Sequence, residues 1–224
     1  MRYSIKPMFA VMAALALGAC SDVESDLLAP DDLQISEARS SKASPAKGES
    51  SIAQIALDFN AGDPAEFTEL VAALSYVDMP VADGGQNAGL VDLFLNGTDQ
   101  FTVFAPTDEA FGKLYELLSA VLETDIDEIT DIPSGIVLDV LAYHVVEGRR
   151  AANSVVPKNR DRTITSLLGE TFAVRSNGSI EDGLTGLRDD ALIDMPNVSA
   201  SNGIIHGITQ VIVPPSVVAT LTGG

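Results

Sequence analysis

The apolar residues of this chain change their period partway along its length, and that change limits the fold more than any other feature. Ile52, Ile55, Ala56 and Phe59, then Phe67, Leu70, Val71 and Leu74 after an Asp63-Pro64 start signal, recur at helical spacing. A short helix is expected around Leu90 to Leu95. A strand follows over Phe101 to Ala105, its ladder closed by Pro106, and then a helix capped by Thr107 or Asp108 that aligns Phe111, Leu114, Leu118 and Val121. After a helix over Ile136 to Leu141 the pattern becomes short alternating runs, at Tyr143 to Glu147, Arg162 to Thr165, Thr171 to Arg175 and Ala191 to Asp194. These are divided by turn signals at Asn177-Gly178, Asp182-Gly183 and Pro196-Asn197. Helices gathered ahead of strands, without βαβ alternation, predict an α+β domain.

The last run, NGIIHGITQVIVPP from Asn202 to Pro215, contains one of the chain's two histidines. As a strand it places Ile204, His206, Ile208 and Ile212 on one face and Ile205, Thr209, Val211 and Val213 on the other. His206 therefore points where the isoleucines point. A buried imidazole needs hydrogen-bond partners, so a satisfied core histidine is expected rather than a catalyst.

The first residues carry Arg2 and Lys6 ahead of an apolar run from Met8 to Leu17, too short to span a bilayer and built like a secretory signal. Leu17, Gly18, Ala19 and Cys20 resemble the bacterial lipobox, which implies cleavage before Cys20 and acylation of its thiol. Several acyl chains exceed what lasting attachment to a bilayer requires. Ser21, rather than aspartate, after the cysteine favours the outer membrane over the inner. The expected organisation is a signal peptide over 1–19, a lipidated N-terminus and tether over 20–50, a domain over 51–216 and a tail over 217–224. A Ser-, Ala-, Asp- and Pro-rich tether of that length reaches about 30 Å.

Cys20 is the only cysteine, so its acylation removes disulfides, Cys-His zinc sites and thiol nucleophiles together. The formal charge of −19 repels phosphates, which makes nucleic acid an unsuitable partner. Neither a Gly-x-Ser-x-Gly elbow nor a His-x-x-x-His or Glu-x-x-His spacing occurs. The acidic stretch Glu123 to Asp131 lacks the mid-loop glycine and distal glutamate of an EF-hand and is expected to be a solvated surface. No catalytic residue, metal site or cofactor is expected.

Three ordered segments, FTVFAPTDEAF at Phe101 to Phe111, YHVVEGR at Tyr143 to Arg149 and the closing NGIIHGITQVIVPP, resemble the fasciclin domain family over roughly Ile52 to Pro215. The resemblance implies a β-wedge of two small sheets with helices packed along one side. It also implies structural roles for Thr107, Asp108 and His206, and attachment to surfaces, matrix polymers or other cells. The chain is thus expected to be an exported, lipid-anchored adhesion module binding an extracellular or cell-surface protein or polymer. The alternative is an envelope lipoprotein that binds a glycan or small molecule without catalysis. Partner contact is expected in the loop Tyr76 to Asn87, through Tyr76, Val77, Met79 and Val81, and secondly around Tyr143 and His144.

Overall fold

A computed structural model describes residues 46–62, 65–79 and 89–223. In chain order the elements are α1 (Ile52–Asn60), α2 (Thr68–Asp78), α3 (Leu90–Asn96), β1 (Phe101–Pro106), α4 (Asp108–Leu122), a 3-10 turn (Ile129–Asp131), α5 (Ser134–Tyr143), β2 (Val145–Glu147), α6 (Ala152–Val155), β3 (Arg162–Thr165), β4 (Thr171–Val174), β5 (Ser179–Glu181), β6 (Ala191–Ala200), β7 (Gly203–Ile208) and α7 (Pro215–Thr222). The expected α+β architecture is present. Its two small sheets are limbs of one mixed sheet, ordered β2-β1-β7-β6-β5-β4-β3. The limbs share β6, whose first residues pair with β5 and whose remainder pairs with β7. Among the described strand pairs, only β1 and β7 run parallel, from Phe101 opposite Gly203 to Pro106 opposite Ile208.

Two apolar clusters flank this sheet. The larger gathers Phe67, Leu70, Phe111, Leu114, Leu118, Val137 and Ile205 under the helices. The smaller holds Phe104, Tyr143, Ile164, Phe172, Ile180, Ile208 and Ile212, with Phe172 edge-on to both Phe104 and Tyr143. The last run is a strand only over Gly203–Ile208, not on to Val213, and its apolar residues divide between the two clusters. Ile208 and Ile212 enter the smaller cluster, Ile205, Val211 and Val213 the larger, and His206 lies against Phe104 with ring centroids 5.6 Å apart.

Several boundaries differ from those expected. The helix predicted over Ile136 to Leu141 continues through Tyr143, because the buried His144 closes its C-terminus, so the following strand is only Val145–Glu147. Pro106 stays within β1, its missing N–H costing no ladder bond at the strand's end. Pro196-Asn197 is not a turn but part of a bulge in β6. Four residues of β6, Met195 to Val198, span three of β7, Gly207 to Ile205. A Cβ on Gly207 would stand 2.7 Å from that of Met195, so the crowded crossing needs glycine there. The short β5 carries too few residues for a periodic signal. Residues expected as a C-terminal tail form α7, started by Pro215 and seated through the buried Val217.

Candidate functional site

The three segments singled out in the sequence converge around β1 and β7, and their polar side chains are turned toward backbone. His206 is fully buried. Its Nε2–H donates to the Arg150 carbonyl at 2.9 Å, and its Nδ1 accepts from the Asn197 N–H at 3.2 Å. Asn197 is the bulge residue, at φ 68°, and its own Oδ1 accepts from Ala152 N–H at 2.8 Å. One imidazole thus joins the bulge to the connection leaving β2. Burial holds its pKa below the ordinary histidine range.

His144 performs the opposite exchange. Its Nδ1–H donates to the Val140 carbonyl at 2.7 Å and its Nε2 accepts from Ile212 N–H at 3.1 Å, so the two histidines are neutral in opposite tautomers. Burial, opposed by the bond to Val140 and assisted by the nearby Arg188 charge, brings His144 down to about 4. All four ring nitrogens are engaged by backbone, so neither ring offers a lone pair to a metal or substrate.

Thr107 accepts from Ala110 N–H at 3.4 Å and caps α4, while Asp108 reaches sideways and accepts from Glu69 N–H at 2.9 Å, capping α2. The expectation that either could cap one helix becomes a division of labour between two helices. In the acidic stretch, Ile126 and Ile129 are buried, and Asp131 accepts from the Asp127 and Glu128 N–H groups, which lower its pKa.

The residues nominated for partner contact fare differently. Tyr143 is 0% exposed, His144 3% and Val77 8%, so none of these presents a surface. Tyr143 lies in the smaller core and donates its hydroxyl to the Thr171 carbonyl at 2.8 Å. Tyr76 to Asp78 form the last turn of α2 rather than a loop. Tyr76 is half-buried and donates to the Ile132 carbonyl, and Asp78 accepts from Leu90 and Val91 N–H at 3.1 and 2.7 Å, capping α3. Met79 alone of the described nominees is open, at 58% exposure. Val81, Cys20, the signal segment and most of the tether lie outside the described residues.

Other residues in this network carried no sequence signal for the contacts they make. The buried Asp182 accepts from Leu184 N–H, Val213 N–H and Arg188, which also donates to the Val211 carbonyl. Arg149 donates to the Ala46, Ala200 and Gly203 carbonyls, and Asn202 joins Ile52 N–H to the Phe94 carbonyl. Asn197 was accessible to inference, since asparagine after proline inside an alternating run suggests positive φ. The others become identifiable only with their distant partners. Among the described residues no group of three or more His, Cys, Asp or Glu could hold a metal ion, and no helix is long and apolar enough to cross a membrane.

A family model described as the fasciclin domain matches residues 66–214. Protein sll1483 of Synechocystis is 33% identical over 151 residues, which are 66% of this chain and 68% of that one. MPB83 of Mycobacterium bovis, named a cell surface glycolipoprotein, is 30% identical over 135 residues, 58% of this chain and 50% of its own. A solved FAS1 domain pair from the insect cell adhesion molecule fasciclin I superposes with a TM-score of 0.51 at 13% identity. The match covers 76% of this chain and 53% of that one and is a likeness of fold.

Proposed function

The chain belongs to the fasciclin domain family, and from that premise we propose that it is a non-catalytic adhesion module carried on the cell envelope by acyl chains on Cys20. One observation carries the non-catalytic reading. The side chains best suited to chemistry in the family's segments, His144, His206, Thr107 and Asp108, are engaged by the protein's own backbone. A site with no available base or nucleophile leaves the outer surface to make contacts. Similarity to a cell surface glycolipoprotein supports placement at the surface, and the apolar run ending in Leu17, Gly18, Ala19 and Cys20 supports the anchor. Ser21 favours the outer membrane, and the partner is an extracellular or cell-surface protein or polymer.

The anchor is tested by Cys20→Ser in the full chain. Cell fractions are separated after a high-salt wash, which screens electrostatic attachment and leaves acyl burial intact. The parent should remain with membranes and the variant should lose normal retention. A variant that partitions with washed membranes like the parent would show that acylation is not the means of attachment.

A further inference from the structure

The cations of this acidic protein are unevenly placed. Five of its 13 basic residues fall between Arg149 and Arg162, accompanied by one acid, Asp161. Arg149 is turned toward backbone carbonyls, and Arg150 donates to the Glu147 carbonyl. Lys158, Arg160 and Arg162 are exposed. Among the described residues none of these three forms a salt bridge, whereas Lys113 pairs with Glu109, Arg175 with Glu181 and Asp190, and Arg188 with Asp182. The paired cations Lys113, Arg175 and Arg188 lie on other elements, while these three gather on one short exposed segment without a salt bridge among the described residues.

Their place in the fold adds a second observation. Arg162 begins β3, the outermost strand of its limb, paired on one side only with β4. A charged residue on an edge strand discourages pairing with another chain, which accounts for Arg162. It does not account for Lys158 and Arg160, which precede the strand. The three cations lie within five residues, a span of at most about 17 Å. Their exposed neighbours are Asn159, Asp161, Thr163 and Thr165, all polar. Protein hot spots are built around aromatic and other large anchors in desolvated pockets, and this strip offers none. Repeated positive charge among hydroxyl and amide groups, without an apolar anchor, suits a hydrated polymer with regularly spaced anions.

We propose that Lys158, Arg160 and Arg162 form a docking strip for an anionic, carboxylate-bearing polysaccharide. The proposal rests on the adhesion reading and names the chemistry of its partner. Net repulsion between the acidic domain and such a polymer is confined by salt to short range, so the local positive strip decides both contact and register.

The test titrates the full chain, purified in detergent, with alginate as a linear polyuronate, dextran as an uncharged polymer and poly-glutamate as an acidic polypeptide. Alginate should bind. Lys158→Gln/Arg160→Gln/Arg162→Gln should weaken alginate binding by about tenfold or more at low salt, with the loss shrinking as salt rises. Lys113→Gln and Met79→Ser, which alter a paired cation and the exposed nominee on α2, should bind like the parent. All three cations are exposed, so an unchanged melting temperature confirms that the triple variant is folded. Alginate affinity unchanged in the triple variant overturns the proposal, as does equal affinity for poly-glutamate or for dextran. Cells that adhere normally while their protein ignores alginate overturn the strip and leave adhesion standing. Alginate binding through the strip by a protein that mediates no adhesion supports the strip and removes the broader reading.

Discussion

α4 meets its neighbours through Ala110, Phe111, Leu114, Tyr115 and Leu118, whereas β6 and the loop before it are fastened by Asn197, His206, Asp182 and Arg188. The first arrangement is apolar packing by a helix whose backbone satisfies itself everywhere except at its ends. The second is a bulged strand and a nine-residue connection, Asp182 to Asp190, whose N–H and C=O groups lack regular ladder partners. Such groups must find partners elsewhere, and buried side chains supply them. Burial raises the pKa of Asp182 and lowers that of Arg188 despite their contact at 2.8 Å. Desolvation therefore outweighs attraction, and the ion pair holds the loop in place at a cost. α4 is held by packed volume, whereas β6 and the loop before it are fixed by a few polar atoms.

The strongest way to break this contrast is Asp182→Ala. It leaves the half-buried Arg188 without its ion-pair partner and two backbone N–H groups without an acceptor, a loss of about 3–5 kcal/mol. Urea denaturation should show it, and a loss no larger than an exposed alanine substitution causes would refute the contrast. Acid gives the next effect. The His144 pKa of about 4 lies below its unfolded value near 6.5, so the unfolded chain takes up the proton first. Stability is complete above about pH 6.5 and declines as pH falls toward 4, by about 3 kcal/mol from this group. His206 is shifted in the same sense. His144→Phe should flatten the slope between about pH 6.5 and about pH 4, while Leu114→Ala, in the helical half, should lower stability and keep the slope. Equal slopes in both variants would show that His144 does not carry this dependence. Smallest is His206→Ala, expected to cost about 1–3 kcal/mol by orphaning Asn197 N–H and the Arg150 carbonyl. A fully stable variant that binds its partner poorly would make His206 a recognition residue instead.

The same contrast determines how much was legible in advance. Ile52 to Phe59, Phe101 to Ala105 and Phe111 to Leu118 announced their elements because periodicity is a local property. The faces of Ile204 to Ile208 were legible for the same reason, and so was the burial of His206. Tyr143 and His144 misled, since an alternating YHVVE pattern does not reveal that a capped helix end occupies its first two residues. Tyr76 to Asp78 misled similarly, because the Asp78 carboxylate engages the start of α3 twelve residues later. Arg149, Asp182, Arg188 and Asn202 act on partners brought close only by the finished topology. Exposed Lys158, Arg160 and Arg162 were visible as letters, but their lack of counter-ions required the surrounding acids to be placed.

The parallel pairing of β1 with β7 has a kinetic meaning. Phe101 to Pro106 find their partners roughly a hundred residues later, at Gly203 to Ile208, a separation that makes closure slow. A polypeptide delivered N-terminus first, from a ribosome or through a translocation channel, has α1 to α6 available early but not the strand that seals β1. Until Ile208 emerges, β1 lacks one of its two neighbours in the sheet and Phe104 lacks its His206 contact. The fold therefore cannot lock shut with its C-terminal segment still inside the channel.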